Sequence, residues 1–119
     1  MSSRPTRPGK SPVKSEPCVG LLLADLHFPD NRSLKGKRGP LASLRDVARQ
    51  RFRASFSEVG YGDSWQRARV LFVVATSSLQ QGRERIDDID RYLHGREFEV
   101  SEVLIKSVDP LAALWPIDS

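Results

Sequence analysis

Ala68-Arg-Val-Leu-Phe-Val-Val-Ala-Thr-Ser-Ser78 carries the densest β signal in the chain, with β-branched and aromatic residues throughout its middle. Leu71 and Val73 oppose Val70, Phe72 and Val74, so both faces of the strand are apolar. Cys18-Val-Gly-Leu-Leu-Leu-Ala-Asp-Leu-His-Phe28 reads the same way: Val19, Leu21 and Leu23 oppose Leu22, Ala24 and Leu26, and Pro29, Asp30 and Asn31 close it with a turn. Two such strands belong at the centre of a sheet, and the rest of the chain is read outward from them.

Between them, Leu41, Leu44, Ala48 and Phe52 recur at helical spacing, with Arg45, Asp46, Arg49 and Gln50 on other faces. Residues 53–60 then alternate Ala54, Phe56 and Glu58 against Ser55, Ser57 and Val59, and run into the glycine-bearing Tyr61-Gly-Asp-Ser-Trp-Gln66. That predicts a first helix, a second strand and a hairpin loop. Beyond Ser78, Leu79, Ile86, Ile89 and Leu93 mark a second helix, solvated by Arg83, Arg85, Asp87, Asp88 and Arg91. Residues 97–108 alternate Phe98 and Val100 against Glu99 and Ser101 before Leu104 and Ile105, a fourth strand. The order βαββαβ is that of an α+β, ferredoxin-like domain: a four-stranded antiparallel sheet in the order 4-1-3-2 with two helices on one face. The domain spans residues 18–108. Residues 1–17 mix Ser, Pro, Arg and Lys and read as a disordered basic tail, and residues 109–119 form a C-terminal extension.

A chain of 119 residues holds one domain, which excludes large barrels and two-lobed catalytic architectures. Its single cysteine, Cys18, permits no internal disulfide and no cysteine-based metal site. A reducing cytoplasm is the expected compartment, and neither a cofactor nor a metal is expected. The tail lacks the apolar stretch of a secretory signal. The run from Val19 to Leu26 is too short to span a bilayer and contains Asp25, so no membrane association is expected.

Helices on one face leave the other face of the central strands apolar and without a cover, an aggregation hazard. A homodimer through the helix-free face is the expected solution. The alternatives are the C-terminal Leu111, Leu114 and Trp115 folding back, or a different partner.

The formal net charge is +4, yet residues 30–53 alone carry Arg32, Lys35, Lys37, Arg38, Arg45, Arg49, Arg51 and Arg53 against Asp30 and Asp46, a net +6. The loop feeding the first helix therefore reads as a phosphate-facing patch, reinforced by the amides of a helix N-terminus. In this topology the loop after the first strand and the hairpin after the second emerge at the same end of the sheet. Arg32, Lys35, Lys37 and Arg38 should there meet Trp65, Gln66 and Arg67, with Tyr61 nearby. Cations mixed with stacking surfaces suit single-stranded nucleic acid.

Three segments carry a family resemblance: His27-Phe-Pro29, Ser33-Leu-Lys-Gly-Lys-Arg38, and Glu58-Val-Gly-Tyr-Gly-Asp-Ser-Trp-Gln-Arg-Ala68. Together they resemble the YlxP-like family of small bacterial proteins of unknown function, across roughly residues 18–108. The resemblance implies a ferredoxin-like domain, often encoded beside genes for translation initiation and ribosome maturation factors, and no established activity. The chain departs from the family pattern at Gly36, Gly39 and Pro40. Proline is tolerated in the first turn of a helix but not in its interior, so the first helix is expected to begin between Lys37 and Pro40.

Catalysis has little to stand on. Asp25, His27, Asp63 and His94 lack a general-base partner and a metal-ligand spacing. Asp63 reads as a turn stabiliser and His94 as a helix end. A small phosphate-ester hydrolase of the acylphosphatase type would need a glycine cradle that is absent, and an RNA-recognition motif would need exposed aromatics on the third strand. The expected function is a non-enzymatic RNA- or ribosome-associated domain, with ribosomal RNA or the ribosome as partner. The alternative is a protein-interaction module binding an acidic protein.

Overall fold

The computed structural model describes residues 16–114. Residues 1–15 of the basic tail, and the end of the extension with Trp115, lie outside the described residues. The elements run β1 (Cys18–His27), α1 (Leu34–Arg51), β2 (Ser55–Gly60), β3 (Arg67–Thr76), α2 (Leu79–Leu93), β4 (Glu99–Val108) and a short α3 (Pro110–Leu114). The sheet order is β2-β3-β1-β4 with every pair antiparallel, the expected 4-1-3-2 order counted from the other edge.

Period two assigns the faces. Leu22, Ala24 and Leu26 of β1 lie opposite Phe72, Val70 and Ala68 of β3, and all six are buried. Against them pack Leu41, Leu44 and Ala48 from α1 and Ile86, Ile89 and Leu93 from α2. Two aromatic pairs add to this layer, Phe56 on Phe72 across β2 and β3 with ring centroids 5.2 Å apart and Phe28 on Phe98 at 5.4 Å. Gly82 lets α2 sit directly on the sheet, since a Cβ there would stand 2.6 Å from Cys18 Sγ. Cys18 is buried, a packing group of the core.

The odd-numbered residues of β1 and β3 form the other face. Val19, Leu21, Leu23, Leu71 and Val73 are half-buried by their neighbours in the sheet, and among the described residues no helix lies over them. The C-terminal extension, as far as Leu114, leaves them so: no residue of α3 is buried and Leu114 is 80% exposed.

One boundary differs from expectation. α1 begins at Leu34, not between Lys37 and Pro40, and continues through Pro40. Ser33 is its N-cap, with Oγ accepting the Gly36 amide at 3.0 Å. Gly36 is needed at this spot because a Cβ would overlap Asn31 Oδ1. Pro40 removes a single bond, the one its N–H would have made to the Gly36 carbonyl, and tertiary anchoring of the first turn outweighs that loss. At the other end Arg53 adopts φ 52°, and the Ala54 amide donates to the Ala48 carbonyl at 2.8 Å, so β2 starts at Ser55.

Candidate functional site

The β1–α1 loop and the β2–β3 hairpin meet, and side chains latch them together. The Phe28 amide donates to the Gln66 carbonyl at 2.8 Å. Gln66 Nε2 returns bonds to the Pro29 and Asn31 carbonyls at 3.1 and 3.2 Å. Asn31 Nδ2 bridges the Ser33 and Trp65 carbonyls. Within the hairpin, Ser64 Oγ accepts the amides of Gln66 and Arg67 at 3.2 and 3.1 Å. The turn-stabilising role expected of Asp63 thus falls to its neighbour, a hydroxyl placed two and three residues before the amides it serves.

Lys37 is the centre of the latch. It is only 3% exposed, and its Nζ donates to the Tyr61 carbonyl at 3.1 Å and the Arg67 carbonyl at 2.8 Å, with Glu58 Oε2 at 3.6 Å. Lys37 is therefore withdrawn from the surface cations expected to face phosphate. Its position explains this: Lys37, Leu41, Leu44 and Ala48 occupy one helical stripe, and that stripe faces inward. Gln66 is likewise half-buried and spent on loop carbonyls.

With these two removed, the exposed set at this end is Arg32, Lys35, Arg38, Trp65 and Arg67, with Trp65 55% exposed. The remaining arginines of the basic window lie farther along α1, with Arg53 just past its end. Arg51 covers Phe52 and Tyr92, its guanidinium carbon 5.3 and 5.4 Å from their ring centroids, and Arg45 pairs with Asp46 at 3.3 Å. The net +6 is therefore spread along the whole helix rather than gathered at the loop–hairpin end.

Tyr61 and Arg69 extend the site onto the helix-free face. Tyr61, between Gly60 and Gly62, takes φ 62°. A bulky residue in that left-handed region is strained, and the bonds its carbonyl accepts from Lys37 Nζ and the Ser64 amide hold it there. Its ring lies under Arg67 at 4.3 Å and Arg69 at 5.2 Å. Arg69 also grips Asp25 with both ends of its fork, Nε to Oδ1 at 2.6 Å and Nη2 to Oδ2 at 2.9 Å. Those hydrogen bonds, aided by the charges of Arg69 and Arg67, hold the Asp25 carboxyl below its ordinary range, although burial opposes them. Arg69 was absent from the sequence-derived site. The register signal was available, because Asp25 and Arg69 lie directly opposite on the two central strands.

The titratable residues considered for catalysis do not converge. Asp25 is committed to Arg69, His27 Nδ1 lies 3.3 Å from Glu99, and His94 Nε2 lies 3.3 Å from Asp90. Among the described residues no cluster of three or more His, Cys, Asp or Glu side chains is placed to hold a metal ion, and no helix is long and apolar enough to cross a membrane.

Comparison with known proteins adds the family. A family model described as "Protein of unknown function (DUF503)" matches residues 19–105. The chain belongs to the DUF503 family. A curated relative, the uncharacterized protein YlxP of Bacillus subtilis (strain 168), is 33% identical over 71 residues, covering 60% of this chain and 77% of the relative. The family match runs from the start of β1 into the second half of β4, so the latched loop and hairpin both lie inside what defines a DUF503 domain. The YlxP-like resemblance of the latch residues and the family match agree.

Proposed function

We propose that this DUF503 domain is a non-enzymatic, RNA- or ribosome-associated module that holds single-stranded RNA at its loop–hairpin end. One observation carries the reading: Trp65, more than half exposed, projects from a hairpin locked to the loop and first turns of α1 that bear the exposed cations Arg32, Lys35 and Arg38, with exposed Arg67 two residues on in the chain. A large aromatic left in water costs apolar hydration, and exposed cations on the segments latched to its hairpin suit a base to stack and phosphates to neutralise. The latch supplies preorganisation, since its bonds tie down both segments before any ligand arrives. The genomic neighbourhood implied by the family resemblance points to the same class of partner.

Binding of a labelled single-stranded RNA measured against salt tests this. Arg32→Ala, Lys35→Ala and Arg38→Ala should each shallow the log–log salt slope by about 0.7, the value for one single-strand phosphate contact. Trp65→Ala should weaken binding by about 1–3 kcal/mol at an unchanged slope. No binding at low salt, or a triple cation variant that binds as wild type does, rejects the reading. Capture of the same proteins from nuclease-treated lysate would instead favour an acidic protein partner.

A further inference from the structure

β4 is one edge of the sheet, ten residues long and without proline. The other edge, β2, is blunted: it has six residues, with serines at 55 and 57 and a bulge at Glu58. β4 instead exposes Leu104 at 54% and Ile105 at 47%, flanked by exposed Glu102 and Lys106. A long strand edge that no described residue pairs with, apolar at its centre, is a template for another strand.

The sequence of that edge is complementary to itself. In an antiparallel pairing of two copies centred on Leu104, Leu104 meets Leu104, Val103 meets Ile105, and Glu102 meets Lys106 twice over, once on each side of the axis. Neighbouring symmetric registers lose this match. Centring on Glu102 or Lys106 opposes like charges, while centring on Val103 or Ile105 sets a charge against Leu104. The bulge between Asp25 and Leu26 in the β1–β4 pairing ends the regular segment beside Glu102, which confines the contact to residues 102–106.

We propose that two copies of this chain join edge to edge through β4, in the single register that pairs Glu102 with Lys106, to form a continuous eight-stranded sheet. The two-fold axis stands perpendicular to the sheet, so all helices lie on one side and the two apolar helix-free faces become one surface. The proposal is independent of the RNA reading, whose residues lie on other elements.

Charge reversal tests the register. Wild type should sediment as a dimer across micromolar to submillimolar concentrations. Glu102→Lys alone and Lys106→Glu alone each place like charges opposite one another at two positions, and each should weaken the dimer by about tenfold or more. Both side chains are exposed, so circular dichroism should show both variants folded. Mixing the two variants should restore a heterodimer, because all four facing charges are then opposite, and the double swap should restore the homodimer. A wild type that stays monomeric overturns the proposal, as does a dimer indifferent to the single reversals or not restored by mixing. A dimer dispersed by Leu71→Asp but not by Glu102→Lys would place the second copy on the helix-free face instead, and overturns the edge pairing equally.

Discussion

Asp25 shows how one residue's environment sets its chemistry. It is 8% exposed, and its carboxylate is matched by the Arg69 fork across the sheet. Because its folded carboxyl is held low, the stability it contributes is complete above the unfolded carboxylate range, near pH 4, and is lost as pH falls through the lower folded value. Arg69 is 39% exposed at its side chain, so solvent screening keeps the contribution small. Asp25→Asn should cost about 1 kcal/mol at pH 7, at the upper end for pairs partly open to water. Urea unfolding at pH 7 and pH 3 checks this: the gap between variant and wild type should narrow at the lower pH. A gap independent of pH would mean that the ion pair is not its source.

At the scale of the element, α1 separates two glycines that look alike in sequence. Gly36 is held against Asn31, where a Cβ would overlap the amide oxygen, whereas a Cβ at Gly39 meets nothing within 4 Å. Gly39→Ala should therefore raise stability by up to about 1 kcal/mol through helix propensity alone. Gly36→Ala should lower it, because Asn31 must leave the carbonyls of Ser33 and Trp65 and two bonds of the latch go unmade. Thermal melts of the two variants should move in opposite directions. Both moving upward would show that the latch tolerates loss of Asn31 and is not what starts the helix at Leu34.

For the whole molecule, the sheet divides the chain into a face that must be dry and a face that need not be. Leu22 and Leu21 are adjacent, yet Leu22 is fully buried beneath the helices and Leu21 lies on the helix-free face. Leu22→Asp should abolish folding, since an unpaired carboxylate would enter a packed core. Leu21→Asp should fold and give a native-like circular dichroism spectrum. An unfolded Leu21→Asp would mean that the helix-free face is covered within the single chain.

Periodicity by itself determined the element order, the two central strands and their doubly apolar faces, because spacings of 2.0 and 3.6 residues are local properties that survive in any context. The meeting of the loop and hairpin was also legible, since it follows from strand direction alone. What tertiary structure alone decided was the fate of individual polar groups. Lys37 and Lys35 are both lysines of one short motif, and only the helix phase, set by the Ser33 cap and the inward stripe, buries the first and exposes the second. The same holds for Pro40, whose local preference for a helix start yields to anchoring by residues more than twenty positions away, Tyr61 and Arg67. Which face of β1 meets the helices was likewise undetermined, because Leu21 and Leu22 are equivalent to a strand until helices are packed over one of them.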